Sequence, residues 1–219
     1  FFFQIVKKGN FLSILIFAFI AGLLILTRRE FIAILFLNSL FLFFFFKIPK
    51  KNILLIVLIA TLTTSPYLIR NFLIFEKVII QAGFGYNFWK ANNPNSKVEG
   101  SSIIDESLQK QIDKIPKDQF YRINEDKVFL KEGIKYVVTE PGRYLVLYLK
   151  KIASFLFIDI DSSQPHYYNP FHYIPVLLLG ITSLLGIFFS DKKSYQLNYL
   201  ILIFFFYIII FSFFSILPR

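Results

Sequence analysis

Residues 52–69 read NILLIVLIATLTTSPYLI, an apolar run that follows the basic pair Lys50-Lys51 and ends at Arg70. A helix that crosses a membrane needs roughly 17–25 mostly apolar residues, and this run has the required length and composition. Its hydroxyl-bearing residues and Pro66 are concentrated toward the end that adjoins Arg70. The run therefore predicts a transmembrane helix.

Four other segments have the same character, and each is flanked by charged or polar residues: 10–27, 31–46, 172–190 and 194–217. Over the whole chain 56% of the residues are hydrophobic and 17% are charged, whereas a soluble domain carries about 25% charged residues. We therefore expect an all-α integral membrane protein with about five transmembrane helices.

A sixth apolar segment, 143–158, differs from these five because its polar residues recur at helical spacing. Arg143, Lys150, Lys151 and Ser154 share one face, and apolar side chains cover much of the rest. An amphipathic helix of this kind lies in the membrane interface rather than across the bilayer. We therefore predict an interfacial helix here.

The net charge of +10 comes mainly from basic clusters that adjoin the apolar segments. With 143–158 in the interface, Lys7-Lys8, 47–51 and Lys192-Lys193 all fall on one side, which the positive-inside rule makes the cytoplasm. The long loop after Arg70 then faces outward. This distribution is typical of topology signals, so we expect the lipid bilayer as a partner and no nucleic acid.

The outward loop is too long to be a simple connection between helices. Residues 83–94 are aromatic and turn-rich, 120–139 have the pattern of a helix, and Glu140-Pro141-Gly142 breaks that helix. We divide the chain into three transmembrane helices (1–70), an extracytoplasmic loop domain (71–142), the interfacial helix with a loop (143–171) and two transmembrane helices (172–219).

Five short motifs occur in a fixed order: GLLILTR at 22–28, SPYLIRN at 65–71, GYNFWKANNP at 85–94, EPGRY at 140–144 and LPR at 217–219. In this order and spacing the chain resembles, over residues 10–219, the C-terminal half of bacterial GT-C membrane glycosyltransferases. The resemblance is to the dolichyl-phosphate-mannose-protein mannosyltransferase-like class, with glycosyltransferase family 39 and the aminoarabinose transferases. Ala91 stands where the family pattern usually has Gly.

The resemblance implies an enzyme of the bacterial cytoplasmic membrane, with a partial GT-C fold and its large loop outside the cytoplasm. Such an enzyme transfers a sugar from a polyprenyl-phosphate donor to a lipid or glycan acceptor of the cell envelope. Its acidic catalytic residue lies in the first outward loop of the N-terminal half. Because the chain contains no Met and begins within an apolar segment, we expect it to be part of a longer protein that carries this residue.

Three arginines are candidates for binding the donor phosphate: Arg28, Arg70 and Arg219. All three are predicted at the outward interface, and a guanidinium group can bind a phosphate through two parallel hydrogen bonds. The alternative for Arg28 and Arg70 is an ordinary interfacial anchor. For Arg219 the resemblance is the argument.

The motif at 85–94 supplies the candidates for sugar or acceptor binding: Tyr86, Asn87, Trp89, Asn92 and Asn93. Aromatic rings stack on sugars, and side-chain amides bind hydroxyl groups. The alternative is that Trp89 belongs to the aromatic belt of the membrane and that Asn92-Asn93-Pro94 forms a turn.

The chain has no Cys and two His, so thiolate metal sites and disulfides are excluded. Asp159, Asp161 and His166 could hold a divalent metal, but hydrogen-bonded turn residues are the expectation, and we predict no cofactor. We expect Glu30 to pair with Arg28 or Arg29.

A second class of function is compatible with the same sequence. The chain could be a non-catalytic membrane component of glycan export or assembly, similar to a flippase or polymerase, whose outward loop binds the polymer. The feature that separates the two hypotheses is a paired acidic motif in the first outward loop of the whole protein.

Overall fold

The structure, a computed structural model, describes residues 1–80, 82–156, 168–190 and 195–214. These ranges contain ten α-helices and no strand, so the predicted all-α class is confirmed. The helices are α1 (Phe2–Lys8), α2 (Phe11–Thr27), α3 (Phe31–Phe44), α4 (Lys50–Phe75), α5 (Phe84–Asn92), α6 (Glu106–Asp113), α7 (Tyr121–Thr139), α8 (Pro141–Leu156), α9 (Pro170–Phe189) and α10 (Tyr195–Phe211). The chain divides into two compact units, Phe1–Gln81 and Ala82–Arg219.

Among the described residues, α4 is the one helix that is both long and apolar enough to cross a membrane. Only 17% of its most apolar window is buried, so most of that surface is open to the surroundings. The helices α2, α3 and α10, and the part of α9 from Tyr173 to Phe189, are apolar but shorter. The number of five membrane-spanning helices stays a prediction.

The first unit is built on close packing of α2 against α4. A Cβ atom at Gly22 would lie 2.6 Å from the Cβ of Thr63, which is shorter than any real contact of this kind. Glycine therefore permits the two helices to touch at this crossing. Ile14 and Ala18 on α2 and Ile56 on α4 are buried as well.

The directions of the helices in this unit follow from contacts of the aromatic rings near the C-terminal end of α3. The ring of Phe41 lies 6.4 Å from that of Phe2, which lies 6.0 Å from the ring of Phe17 in α2. The helix α3 therefore returns toward the first half of α2, and α4 begins there, with Lys50 Nζ 5.9 Å from the ring of Phe43. Consequently α2 and α4 run in the same direction.

Helix α4 extends six residues beyond Ile69, where the apolar run ends. Pro66 has no N–H to donate to the carbonyl of Leu62, a defect that usually breaks or kinks a helix. The Ser65 hydroxyl donates to that carbonyl instead, at 2.8 Å. The helix therefore continues through Arg70 to Phe75.

The second unit has a small core between α5, α6 and α7, formed by Trp89, Leu108, Ile112 and Phe129. The predicted helix at 120–139 is confirmed as α7, and the predicted break follows it, because α8 begins anew at Pro141. Residues 84–92 differ from the expectation of a turn-rich segment, since they form the helix α5.

Helix α8 is amphipathic, and it buries two polar side chains together with the apolar Tyr144 and Leu147. Leu145, Val146 and Leu149 are exposed, whereas Lys151 and Ser154 are buried. The four polar residues that the sequence assigns to one face are thus separated, because Arg143 and Lys150 remain exposed. The buried side of α8 therefore combines polar and apolar side chains.

Candidate functional site

The two described arginines that were predicted to bind phosphate both lie in the first unit. Arg28 follows α2 and is exposed, and its Nε lies 3.7 Å from Oε2 of Glu30. The predicted pairing of Glu30 is confirmed by this contact. Arg70 is exposed on α4 and donates from NH1 to Oδ1 of the buried Asn71 at 3.2 Å, and Asn71 in turn donates to the carbonyl of Ile79.

The structure brings Arg28 and Arg70 to the same end of this unit. Arg28 follows Gly22 by six residues and Arg70 follows Thr63 by seven, which is about 9 Å and about 10 Å along the two helices. Because α2 and α4 run in the same direction, both guanidinium groups lie beyond the Gly22–Thr63 crossing on the same side. Arg219 is outside the described residues, as are Asp159, Asp161 and His166.

The five predicted sugar-binding residues lie in the second unit, and they have different environments. Asn87 is exposed and Tyr86 is half-buried, whereas Trp89, Asn92 and Asn93 are buried. Only the first two therefore present their side chains to a molecule outside the protein.

Trp89 is part of the core, with an exposed fraction of 1%. Its ring lies 4.8 Å from that of Phe129 and 5.9 Å from that of Tyr86, measured between centroids. The indole Nε1 has no hydrogen-bond partner among the described residues. Both faces of the indole are covered by protein, so this conformation leaves no face on which a sugar could stack.

Asn93 organises the turn that follows α5. Its backbone N–H donates to the Ser96 hydroxyl at 3.0 Å, its Oδ1 accepts from the N–H of Asn95 at 2.9 Å, and its Nδ2 donates to the carbonyl of Ser101 at 2.7 Å. Residues 93–95 thus form a turn, which is one part of the alternative interpretation. Asn92, however, is the last residue of α5, and Trp89 is buried in the core rather than exposed as a residue of an aromatic belt would be. The amide of Asn93 is used within the loop.

Asn92 belongs to a buried polar cluster that the sequence did not reveal. Its Nδ2 donates to the carbonyls of Phe88 at 2.8 Å and Phe213 at 2.9 Å. Lys151 Nζ donates to the carbonyl of Ala91 at 2.9 Å and lies 3.4 Å from Oδ1 of Asn92. The cluster therefore joins α5 to α8 and to the turn after α10.

Lys151 is the most unusual residue of this cluster, because its side chain is fully buried. No carboxylate among the described residues pairs with it. Burial penalises the charged form and lowers the pKa of Lys151 from 10.5 to about 7. The ammonium group lies at the C-terminal end of α5, where the helix dipole favours a positive charge.

A cleft of about 490 Å³ lies in the second unit, between the N-terminus of α5 and α7. Tyr86 and Phe129 supply aromatic surface, and Arg122, Glu125 and Asp126 supply charge. The ring centroids of Tyr86 and Phe129 are 5.0 Å apart. The volume lies within the range of about 300–1,000 Å³ that is typical of small-molecule sites.

The carboxylates of the cleft are held by short contacts. Oδ1 of Asp126 accepts from the backbone N–H of Tyr86 at 2.9 Å, in the first turn of α5, where an anion is favoured. Glu125 accepts from the hydroxyl of Tyr121 at 3.2 Å and from Arg122 at 3.4 Å. These contacts fix the charged side of the cleft on α7 and tie it to α5.

Two glycines allow α5 and α7 to approach each other beside this cleft. A Cβ atom at Gly85 would lie 1.9 Å from the backbone oxygen of Asp126. A Cβ atom at Gly133 would lie 3.1 Å from Cα of Trp89. The backbones are thus in direct contact, and a side chain at Gly85 would push them apart.

Of the predicted sugar-binding residues, Tyr86 lines this cleft, and the sequence analysis missed Arg122, Glu125 and Asp126. The adjacent carboxylates in the first half of 120–139 were the available signal. They lie in a polar stretch that is equally typical of a solvated helix face, so the sequence did not single them out. No family model, curated protein or solved structure matches this chain.

Proposed function

We propose that this chain is part of a membrane glycosyltransferase of the GT-C type, located in the bacterial cytoplasmic membrane. The reaction moves a sugar from a polyprenyl-phosphate donor to a lipid or glycan acceptor of the cell envelope. The catalytic carboxylate is supplied by the N-terminal half that the family resemblance implies.

The observation that carries the proposal is the cleft beside α5. Tyr86, from the motif at 85–94 on which the resemblance depends, lines this cleft. An aromatic ring next to carboxylate and guanidinium groups is the combination that binds sugars, because hydroxyl groups need both donors and acceptors and the ring covers their C–H face.

Arg28 and Arg70 support the donor half of the proposal. They lie at the same end of the first unit, beyond the part of α4 that is apolar enough to cross a membrane. A lipid-linked phosphate lies at that depth, in the headgroup region, where a guanidinium group can bind it through paired hydrogen bonds.

The exposed apolar surface supports the membrane location. Large apolar side chains of both units are exposed, among them Leu54, Leu73, Leu179 and Phe188, and lipid is a solvent in which this exposure is favourable. We propose five membrane-spanning helices, with α8 in the interface. Reporter fusions after Lys51, Lys97 and Lys193 test this topology: we expect the first and third in the cytoplasm and the second outside. An outward Lys193 would mean that α8 crosses the bilayer.

A transfer assay tests the activity. Membranes from cells that express the whole gene are supplied with a radiolabelled polyprenyl-phosphate sugar, and label in the envelope acceptor is measured. We expect Arg70→Ala to reduce transfer by about tenfold or more, because a charge-assisted contact to phosphate is lost. The matched control is Lys131→Ala, which removes an exposed basic side chain of α7.

The outcomes separate the hypotheses. Equal transfer by Arg70→Ala and Lys131→Ala removes Arg70 from phosphate binding. A protein that inserts normally, binds glycan and transfers no sugar is the non-catalytic export or assembly component instead.

A further inference from the structure

The charges that line the cleft beside α5 are unequal. Arg122 contributes one positive charge, and Glu125 and Asp126 contribute two negative charges. Arg122 and Glu125 lie 3.4 Å apart and partly neutralise each other. Asp126 is therefore the charge that sets the electrostatic character of the cleft.

Asp126 has acceptor capacity that the fold does not use. Its Oδ1 accepts from the N–H of Tyr86, and within the described part of the chain no other hydrogen bond or ion pair involves its carboxylate. A carboxylate can accept about four hydrogen bonds. The second oxygen is thus free to accept from a ligand.

These properties oppose the binding of the donor phosphate in the cleft. A phosphate would lie beside two carboxylates and one guanidinium, so like-charge repulsion opposes its binding. A neutral sugar meets no such repulsion, because its hydroxyl groups donate to the carboxylates and accept from Arg122. The half-buried ring of Tyr86, supported from behind by Phe129, offers a face for its C–H groups.

We propose that this cleft is the acceptor site and that it takes a neutral hexopyranose unit, with Tyr86 as the stacking platform and Asp126 as the hydroxyl acceptor. This inference rests on the proposed function, because it assigns one of the two substrates of that reaction to the cleft. The donor phosphate binds elsewhere, at basic residues of the first unit.

The variant Asp126→Asn separates ligand binding from folding. Asparagine retains a side-chain oxygen for the N–H of Tyr86, so the contact at the start of α5 is preserved. The free carboxylate oxygen is replaced by an NH₂ group that cannot accept. We expect the affinity for a neutral sugar to fall by about tenfold or more, since a hydrogen bond to a charged group is lost. Tyr86→Leu, which removes the aromatic face, should also lower the affinity for the sugar.

The binding test uses the single tryptophan of the 219-residue chain. Trp89 lies one ring away from the cleft, against Tyr86 and Phe129, so its fluorescence reports on occupancy. The chain in detergent micelles is titrated with the methyl hexopyranosides of glucose, mannose and galactose, and separately with inorganic phosphate. We expect a saturable change with at least one of the sugars and a weaker response to phosphate. Asp113→Asn, an exposed carboxylate on α6, is the matched control and should leave the affinity unchanged.

Three results overturn the inference. The first is that none of the three sugars gives a saturable change. The second is that Asp126→Asn binds the sugar as tightly as Asp113→Asn. The third is that phosphate binds more tightly than every sugar and that Arg122→Gln removes this binding, which would make the cleft a phosphate site.

The transfer assay distinguishes this inference from the proposed function. If Asp126→Asn transfers sugar with an unchanged KM for the acceptor, the glycosyltransferase proposal stands and the acceptor cleft is wrong. If the sugar binds as expected and the wild-type protein transfers none, the cleft is a saccharide site of the non-catalytic component.

Discussion

Replacing Lys151 by Met should change how the stability of the protein depends on pH. Lys151 is fully buried, and its pKa falls from 10.5 to about 7 in the folded state. Between about pH 7 and pH 10.5 the Lys151 amine is therefore protonated in the unfolded chain and neutral in the folded chain. The free energy of unfolding therefore rises with pH in this window.

The magnitude follows from the two pKa values. Each unit of pH between them adds about 1.4 kcal/mol to the free energy of unfolding, and the full window corresponds to about 5 kcal/mol. Met has a similar length and no proton to lose, so this contribution disappears in Lys151→Met. Between pH 7.5 and pH 9.5 we expect the wild-type protein to gain about 3 kcal/mol relative to the variant.

The assay is denaturant unfolding in detergent micelles at these two pH values, followed by the fluorescence of Trp89. Other titrating groups are common to both proteins and cancel in the difference. The control is Lys150→Met, which replaces the exposed neighbour and leaves the buried amine of Lys151 in place. The reasoning would be refuted if the free energies of unfolding of wild type and Lys151→Met differed by the same amount at both pH values. That result would mean that the Lys151 amine keeps its proton on folding.

Two further perturbations test the packing and electrostatics of the second unit. We expect Gly85→Ala to lower the free energy of unfolding by about 1–3 kcal/mol, because the new Cβ would lie 1.9 Å from the backbone oxygen of Asp126. An unchanged midpoint of denaturant unfolding would mean that α5 and α7 do not touch at this position. Burial, and secondarily the hydrogen bond to Asp105, raises the pKa of Tyr136 to about 12, so this residue contributes stability that is lost as the pH rises from 10 to about 12. In an ultraviolet titration we expect Asp105→Asn to lower this pKa while leaving it above 10, because burial is the larger cause; a pKa that does not move would remove Asp105 from the contact.

The helices that the sequence predicted well are those specified by local pattern. The apolar run at 52–69 became most of α4, and the periodicity of 120–139 became α7. The chain ends α7 at Thr139 because proline follows Glu140 and disfavours a continuous helix across that position. These elements need no information from distant parts of the chain.

The elements that the sequence did not predict depend on contacts between distant residues. Helix α5 contains Gly85 and Asn87, both weak helix formers, and the group that accepts from its first turn is Asp126, 40 residues away. The burial of Lys151 was hidden for a similar reason: helical periodicity identifies a polar face but does not say whether it meets water or protein. The cleft was missed because its lining residues come from two distant segments, the start of α5 and α7.

The hydrogen bond from Asn92 to the carbonyl of Phe213 also constrains the order in which the second unit is completed. The two residues are 121 positions apart, and a ribosome needs about 6–24 s to add that many residues. Once Thr139 has been added, α5 and α7 can pack, but the amide at the end of α5 still lacks its final acceptor. Lys151 emerges roughly midway and donates to the carbonyl of Ala91 near that helix end. Biogenesis of this unit is therefore expected to proceed in stages, with the α5 terminus remaining open until the segment after α10 arrives.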